Sequence, residues 1–122
     1  MPLRPAALAV GLLLLLVPVH VGAAEPMRVL EVSPSARAVM DGNRQEFAVR
    51  FDAPVDHAGS RLTILNEDGQ PVRTLAPRLG ASPDTLYAIA GGLPPGAYRL
   101  RWEARSRRDG GMTEGTLDFR VR

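Results

Sequence analysis

The chain contains no cysteine and no lysine. Without cysteine there is no disulfide, no thiolate nucleophile, no cysteine-based zinc site and no lipid held through a thiol. Whatever core forms must hold by packing alone. All 15 basic residues are arginine, a bias of composition, and against 13 Asp and Glu they leave a formal net charge of +2. That is too close to neutral to argue for a nucleic-acid partner. Aromatic residues are scarce, at three Phe, two Tyr and one Trp. No stacking platform for bases and no basic helix can be traced through them.

Long apolar runs are missing except at the start. Met1 to Arg4 carries a positive charge, residues 6–17 are apolar, and residues 18–23 end in small side chains. This is the pattern of a secretory signal peptide cut after Ala23 or Ala24. The apolar run falls short of the ~20 residues that a bilayer span needs. Cutting after Ala23 leaves 122 − 23 = 99 residues, one domain at 24–122 with enough chain for a single core. No membrane span is expected in the mature chain. A leader followed by a cysteine-free domain points to a bacterial periplasm.

What is present is alternation. In residues 97–105, Tyr98, Leu100, Trp102 and Ala104 alternate with Arg99, Arg101, Glu103 and Arg105. Successive side chains of a strand point to opposite faces, so this segment has one apolar and one charged side. A helical period would scatter the arginines into the apolar side. The lead-in Leu93-Pro-Pro-Gly-Ala-Tyr98 makes a corner, and a tyrosine placed there can turn its hydroxyl back onto the corner's backbone, as in the tyrosine corner of immunoglobulin-like sandwiches. Further strands are expected at 28–33, 46–51, 61–66, 71–75, 85–90 and 116–122. Phe47, Val49 and Phe51 face inward in the second of these, and Leu117, Phe119 and Val121 in the last. Residues 35–44, 52–57, 76–84 and 107–112 read as loops, and Glu67-Asp-Gly-Gln70 as a hairpin turn. Seven short strands and no convincing helix predict an all-β, seven-stranded antiparallel immunoglobulin-like β-sandwich of Greek-key type.

The order of the pieces is more specific than the fold. A Ser33-Pro34 pair follows the first strand, and the next strand runs into Phe51-Asp-Ala-Pro-Val55. Then come the Asp-Gly turn and Leu93-Pro-Pro-Gly-Ala-Tyr98-Arg-Leu-Arg-Trp102. Ser106, Asp109-Gly110 and the closing strand from Gly115 to Val121 complete the series. Over essentially the whole mature chain this resembles the CopC family, the small periplasmic copper-resistance proteins. The resemblance implies a non-enzymatic protein that binds or passes copper, with copper and an envelope or inner-membrane copper-transport protein as partners. It also implies Cu(II) held by an N-terminal histidine, through amine and ring, with an Asp and a His from an Asp-Gly-His loop. Such nitrogen and oxygen donors suit that ion. Some members hold Cu(I) in a methionine-rich loop.

Carried over residue by residue, the ligand set is reduced. Asp109 and Gly110 stand in the Asp-Gly positions, Gly111 takes the place of the histidine, and the mature chain would start at Ala24 or Glu25. Met27, Met40 and Met112 are scattered. The candidate metal ligands are therefore Asp109, His57 and Met112, and each has a plainer reading: a turn-forming Asp before Gly, a solvated loop histidine, a gap-filling or exposed methionine. Asp56-His57-x-x-Ser60 is not a triad, because adjacent residues in extended chain point apart. Arg99, Arg101, Arg105, Arg120 and Arg122 line an outward face. They either dock an acidic partner or form cross-strand pairs with Glu103 and Asp118. The expected function is copper binding or transport in copper resistance or homeostasis through a degenerate Cu(II) site. The alternative is a metal-free immunoglobulin-like interaction module of the cell envelope. An enzyme with an N-terminal copper centre is disfavoured, because no histidine stands at the expected mature terminus. Intact mass of the exported protein is predicted to place the first residue at Ala24 or Glu25; retention of Met1 would overturn the cleaved leader.

Overall fold

The computed structural model describes residues 26–78 and 82–122. The expected leader, residues 1–23, lies outside the described residues. Eight strands follow in chain order: β1 (Val29–Ser33), β2 (Ala38–Met40), β3 (Gln45–Phe51), β4 (Val55–Leu65), β5 (Pro71–Leu75), β6 (Thr85–Ala90), β7 (Gly96–Ser106) and β8 (Met112–Val121). No helix occurs among the described residues. The strands form a three-stranded sheet, β1-β3-β6, and a five-stranded sheet, β2-β8-β7-β4-β5.

Alternation fixes which faces meet. Phe47, Val49 and Phe51 of β3 are fully buried, as are Leu62 and Ile64 of β4, Leu86 of β6 and Leu100 of β7. Burial of each large apolar side chain contributes about 1.5–3 kcal/mol. Phe47 meets Phe119 edge-on with centroids 5.1 Å apart, which joins the two sheets, and Tyr98 stacks on Phe119 at 5.6 Å. The Tyr98 hydroxyl donates to the Pro94 carbonyl at 2.6 Å, so the expected corner is formed. Outward arginines find cross-strand partners: Arg99 donates to Asp118 at 2.7 Å and Arg101 to Glu114 at 3.1 Å. Glu103 faces Glu114 directly, so Glu114, not Glu103, pairs with Arg101.

Three features differ from the expected seven-stranded antiparallel sheet pair. Residues 38–40, expected within a loop, form β2, which runs parallel to β8 with Ala38 opposite Phe119. The entry to β2 is set by Arg37, whose φ of 65° turns the chain so that its N–H donates to the Asp118 carbonyl at 2.8 Å. Three residues are too few to show a period. Secondly, β4 begins at Val55, so His57 lies in a strand and not in a connection. Pro54 breaks the chain as expected, but pairing resumes at once. Thirdly, β8 starts at Met112, four residues earlier than expected, because Met-Thr-Glu-Gly carries no alternation of its own and pairs through its backbone with β7.

One close approach sets the middle of the large sheet. Trp102 lies opposite Gly115, and a Cβ on Gly115 would come within 2.2 Å of Trp102 Cζ2. Only glycine lets the indole lie flat on β8 and fill the core. Gly115→Ala is predicted to cost about 1–3 kcal/mol through displacement of the ring. Urea unfolding followed by Trp102 fluorescence checks this, and wild-type stability with an unshifted native emission would refute it.

Candidate functional site

At one end of the sandwich, the start of β4, the end of β7, the start of β8 and the segment entering β1 come together. Val55 pairs with Ser106, the Arg107 N–H donates to the Pro54 carbonyl at 3.0 Å, and Thr113 Oγ1 donates to the Met27 carbonyl at 3.0 Å. The earliest described part of the chain is thus docked beside the β7–β8 hairpin. Here β4 is bulged: Asp56 pairs with Arg105 and the next pair is Arg61 with Glu103, so residues 57–60 stand against Ala104 alone. The buried Ser60 mends the ladder. Its hydroxyl donates to the Asp56 carbonyl at 2.7 Å and accepts the Arg105 N–H at 2.9 Å. Bulges of this kind re-aim side chains next to sites.

All three candidate ligands lie at this end, each on its own element. His57, carried on the bulge, places Nε2 2.8 Å from the Thr85 carbonyl of β6 and so ties one sheet to the other. A carbonyl only accepts, so Nε2 carries the proton and the Nδ1 lone pair is the one left for a metal. Asp109 is exposed, and its Oδ1 accepts the Gly111 N–H at 2.9 Å, the local turn that an Asp before Gly commonly makes. Gly110 needs its glycine, with φ of 74°, whereas Gly111 has no such backbone requirement. Met112 opens β8 opposite Arg105 and is 45 % exposed. Met27 reaches the same end but buries its side chain in the core.

The electrostatics are not those of a preformed cation site. Arg105 donates Nη1–H to the Gly110 carbonyl at 3.2 Å, which fastens a guanidinium across the base of the hairpin, and Arg107 and Arg108 are exposed on it. Among the described residues no group of three or more His, Asp or Glu side chains converges as a metal cage would require. The donors present therefore do not fit a closed Cu(II) centre. They offer a carboxylate, one imidazole nitrogen and a thioether on an open rim. Sequence reasoning placed Arg105 only on an outward arginine face and Ser60 only in a dismissed triad, and so missed the roles they have here. The bulge that gives them their roles has no sequence period to announce it.

The whole sandwich, from β1 to the end of β8, answers to one family. The chain matches the CopC domain over residues 29–122, and it belongs to the CopC family, a family related to copper resistance. It is similar in structure to CopC from Methylosinus trichosporium OB3b, with a TM-score of 0.69, 28% identity, and coverage of 79% of this chain and 93% of that one. Two further solved structures share the fold alone. One is an engineered protein, at 18% identity and TM-score 0.57, covering 78% of this chain and 20% of that one. The other is a lytic polysaccharide monooxygenase from Jonesia denitrificans, at 16% identity and TM-score 0.51, covering 73% of this chain and 60% of that one. No curated protein sequence matches the chain.

Ser60→Ala strands the Arg105 N–H at a half-buried bulge. It is predicted to destabilise the fold by about 1 kcal/mol, the net worth of a part-buried hydrogen bond. Chemical unfolding together with amide exchange at Arg105 measures it, and unchanged protection at that amide would show that the hydroxyl does not close the ladder.

Proposed function

We propose that this chain is a periplasmic, non-enzymatic copper-handling protein of the CopC type, acting in copper resistance or homeostasis, which meets copper as cargo on an open rim instead of in a closed centre. The observation that carries the reading is the family match across the entire sandwich, at an end where Asp109 heads the hairpin and the entering chain is pinned by Thr113. Asp109 keeps Oδ2 free of protein donors among the described residues while Oδ1 holds the turn. His57 would contribute Nδ1, and Met112 a thioether suited to the softer Cu(I). The expected leader supports export, and a copper-transport protein of the envelope or inner membrane is the fitting recipient. A second reading, a metal-free interaction module of the envelope, is favoured by the lack of any converging ligand group among the described residues.

Copper titration of the exported protein, by visible absorbance and electron spin resonance, separates the two. Binding is predicted, weakened in both Asp109→Ala and His57→Ala. Gly111→His is predicted to tighten it by roughly tenfold or more, about 1.4 kcal/mol, because it adds an imidazole where the backbone tolerates a side chain. A built Cβ there would sit 3.2 Å from Asp109 Oδ1, so that carboxylate must move aside by a few tenths of an ångström to admit it. No stoichiometric binding at micromolar copper would leave the metal-free module as the reading. Binding unchanged in both alanine variants would displace these residues from the site.

A further inference from the structure

At the other end of the large sheet lies a groove of about 620 Å³, lined by the β4–β5 hairpin on one side and by β7, β8 and the turn before β2 on the other. Its volume falls within the ~300–1,000 Å³ usual for small-ligand sites. The two walls carry opposite and unbalanced charge. One wall presents Arg37, Arg99 and Arg120 against the single carboxylate of Asp118. Asp118 is already engaged by Arg99, whose hydrogen bond, with a weaker pull from Arg37 through space, holds that carboxyl below its ordinary range. Arg120 stands opposite Ala97 on one side and Val39 on the other, so it has no acid across either ladder.

The facing wall presents Glu67 and Asp68. Among the described residues neither they nor Arg37 and Arg120 take part in an ion pair. The acidic tip is not a loose loop. Asn66 Oδ1 accepts the N–H groups of Asp68 and Gln70, both at 2.9 Å, and the Gly69 N–H donates to the Asn66 carbonyl at 2.9 Å. Between the walls the floor carries Leu65 and Ala97, with Arg99 beside them on β7 reaching to Asp118.

The register gives the spacing. Leu65 pairs with Arg99, and Arg99 pairs with Asp118, so β4 and β8 are two strands apart. At ~4.8 Å per strand the β4 and β8 backbones that carry the two walls stand roughly 10 Å apart. An extended peptide covers ~3.3–3.6 Å per residue, so three residues separate a free amine from a free carboxylate by about that distance. A single amino acid is too short to reach both walls.

We infer that this groove binds short zwitterionic peptides of about three residues, the carboxylate at Arg37 and Arg120 and the ammonium at Glu67 and Asp68. The site is independent of the copper reading and lies at the opposite end of the sandwich. A protein tail brings only one charged terminus, so a free peptide satisfies the groove where a partner's terminus does not.

The test is a titration of the exported, 15N-labelled protein with trialanine, its N-acetyl form, its C-amide form and free alanine. Saturable shifts at Asp68, Ala97 and Arg99 are expected with trialanine in the millimolar range. Blocking either end should weaken binding by roughly fivefold, the equivalent of about 1 kcal/mol for one exposed ion pair. Asp68→Asn should reduce the sensitivity to N-acetylation and Arg120→Gln the sensitivity to C-amidation, since one partner remains at each end; both positions are exposed, and their variants should unfold like the wild type. No shifts with trialanine, or equal affinity for free and blocked forms, would overturn the proposal. So would binding of the N-acetyl form as tight as the parent, which would mark a carboxylate site only, and free alanine binding as well as trialanine.

Discussion

Phe47 from the small sheet set edge-on against Phe119 from the large one is the contact through which two sheets become one body. A chain of this size with no disulfide has no covalent means of holding two layers together. Every other feature depends on the inner faces meeting there. Tyr98 stacks on the far side of Phe119 and is itself held by the Pro94 carbonyl, so the corner that opens β7 is fastened to the same aromatic ring that joins the layers. Farther along, Trp102 takes the space that the missing side chain of Gly115 leaves on β8. The large sheet is stiff because its central pair, β7 and β8, is in register along ten residue pairs without a break.

Irregularity lies outside that pair: the largest is the bulge of β4 against β7, with smaller register shifts between β4 and β5 and between β1 and β3. The bulge of β4 places four residues against one, and Ser60 supplies the hydrogen bonds that the ladder loses. The excursion sends His57 across to β6 while Arg105 reaches the hairpin. The polar groups at this end are thus mostly occupied with the backbone. A histidine bound to a carbonyl, an aspartate bound to its own turn and an arginine fixed over the hairpin hold the scaffold in shape, and they leave only the remaining lone pairs for a metal.

The parts of the fold that were legible in the sequence were those in which a period or a turn residue acts locally. The alternation of β3, β7 and β8 placed Phe47, Leu100 and Phe119 inward, and Asp-Gly marked the β4–β5 hairpin. The Pro-Pro-Gly-Ala-Tyr run marked the corner. What stayed hidden depends on partners far along the chain. Residues 38–40 become a strand only because Arg37 finds the Asp118 carbonyl, and no three-residue segment can announce that. His57 finds a carbonyl 28 residues away, which its neighbours Asp56 and Ala58 do not encode. The arginine face divides in the same way. Arg99 and Arg101 are absorbed by acids on β8, whereas Arg120 is left facing an alanine, a difference set by register and not by composition.

One strand, β7, runs the full length of the molecule. It leaves the groove at Ala97 and reaches the hairpin at Ser106, roughly 30 Å away at ~3.3 Å per residue. That distance is several Debye lengths at physiological ionic strength, so charge introduced at one extremity is not felt at the other. The two extremities are electrically insulated from each other along β7, so the charge of one can change without altering the field at the other.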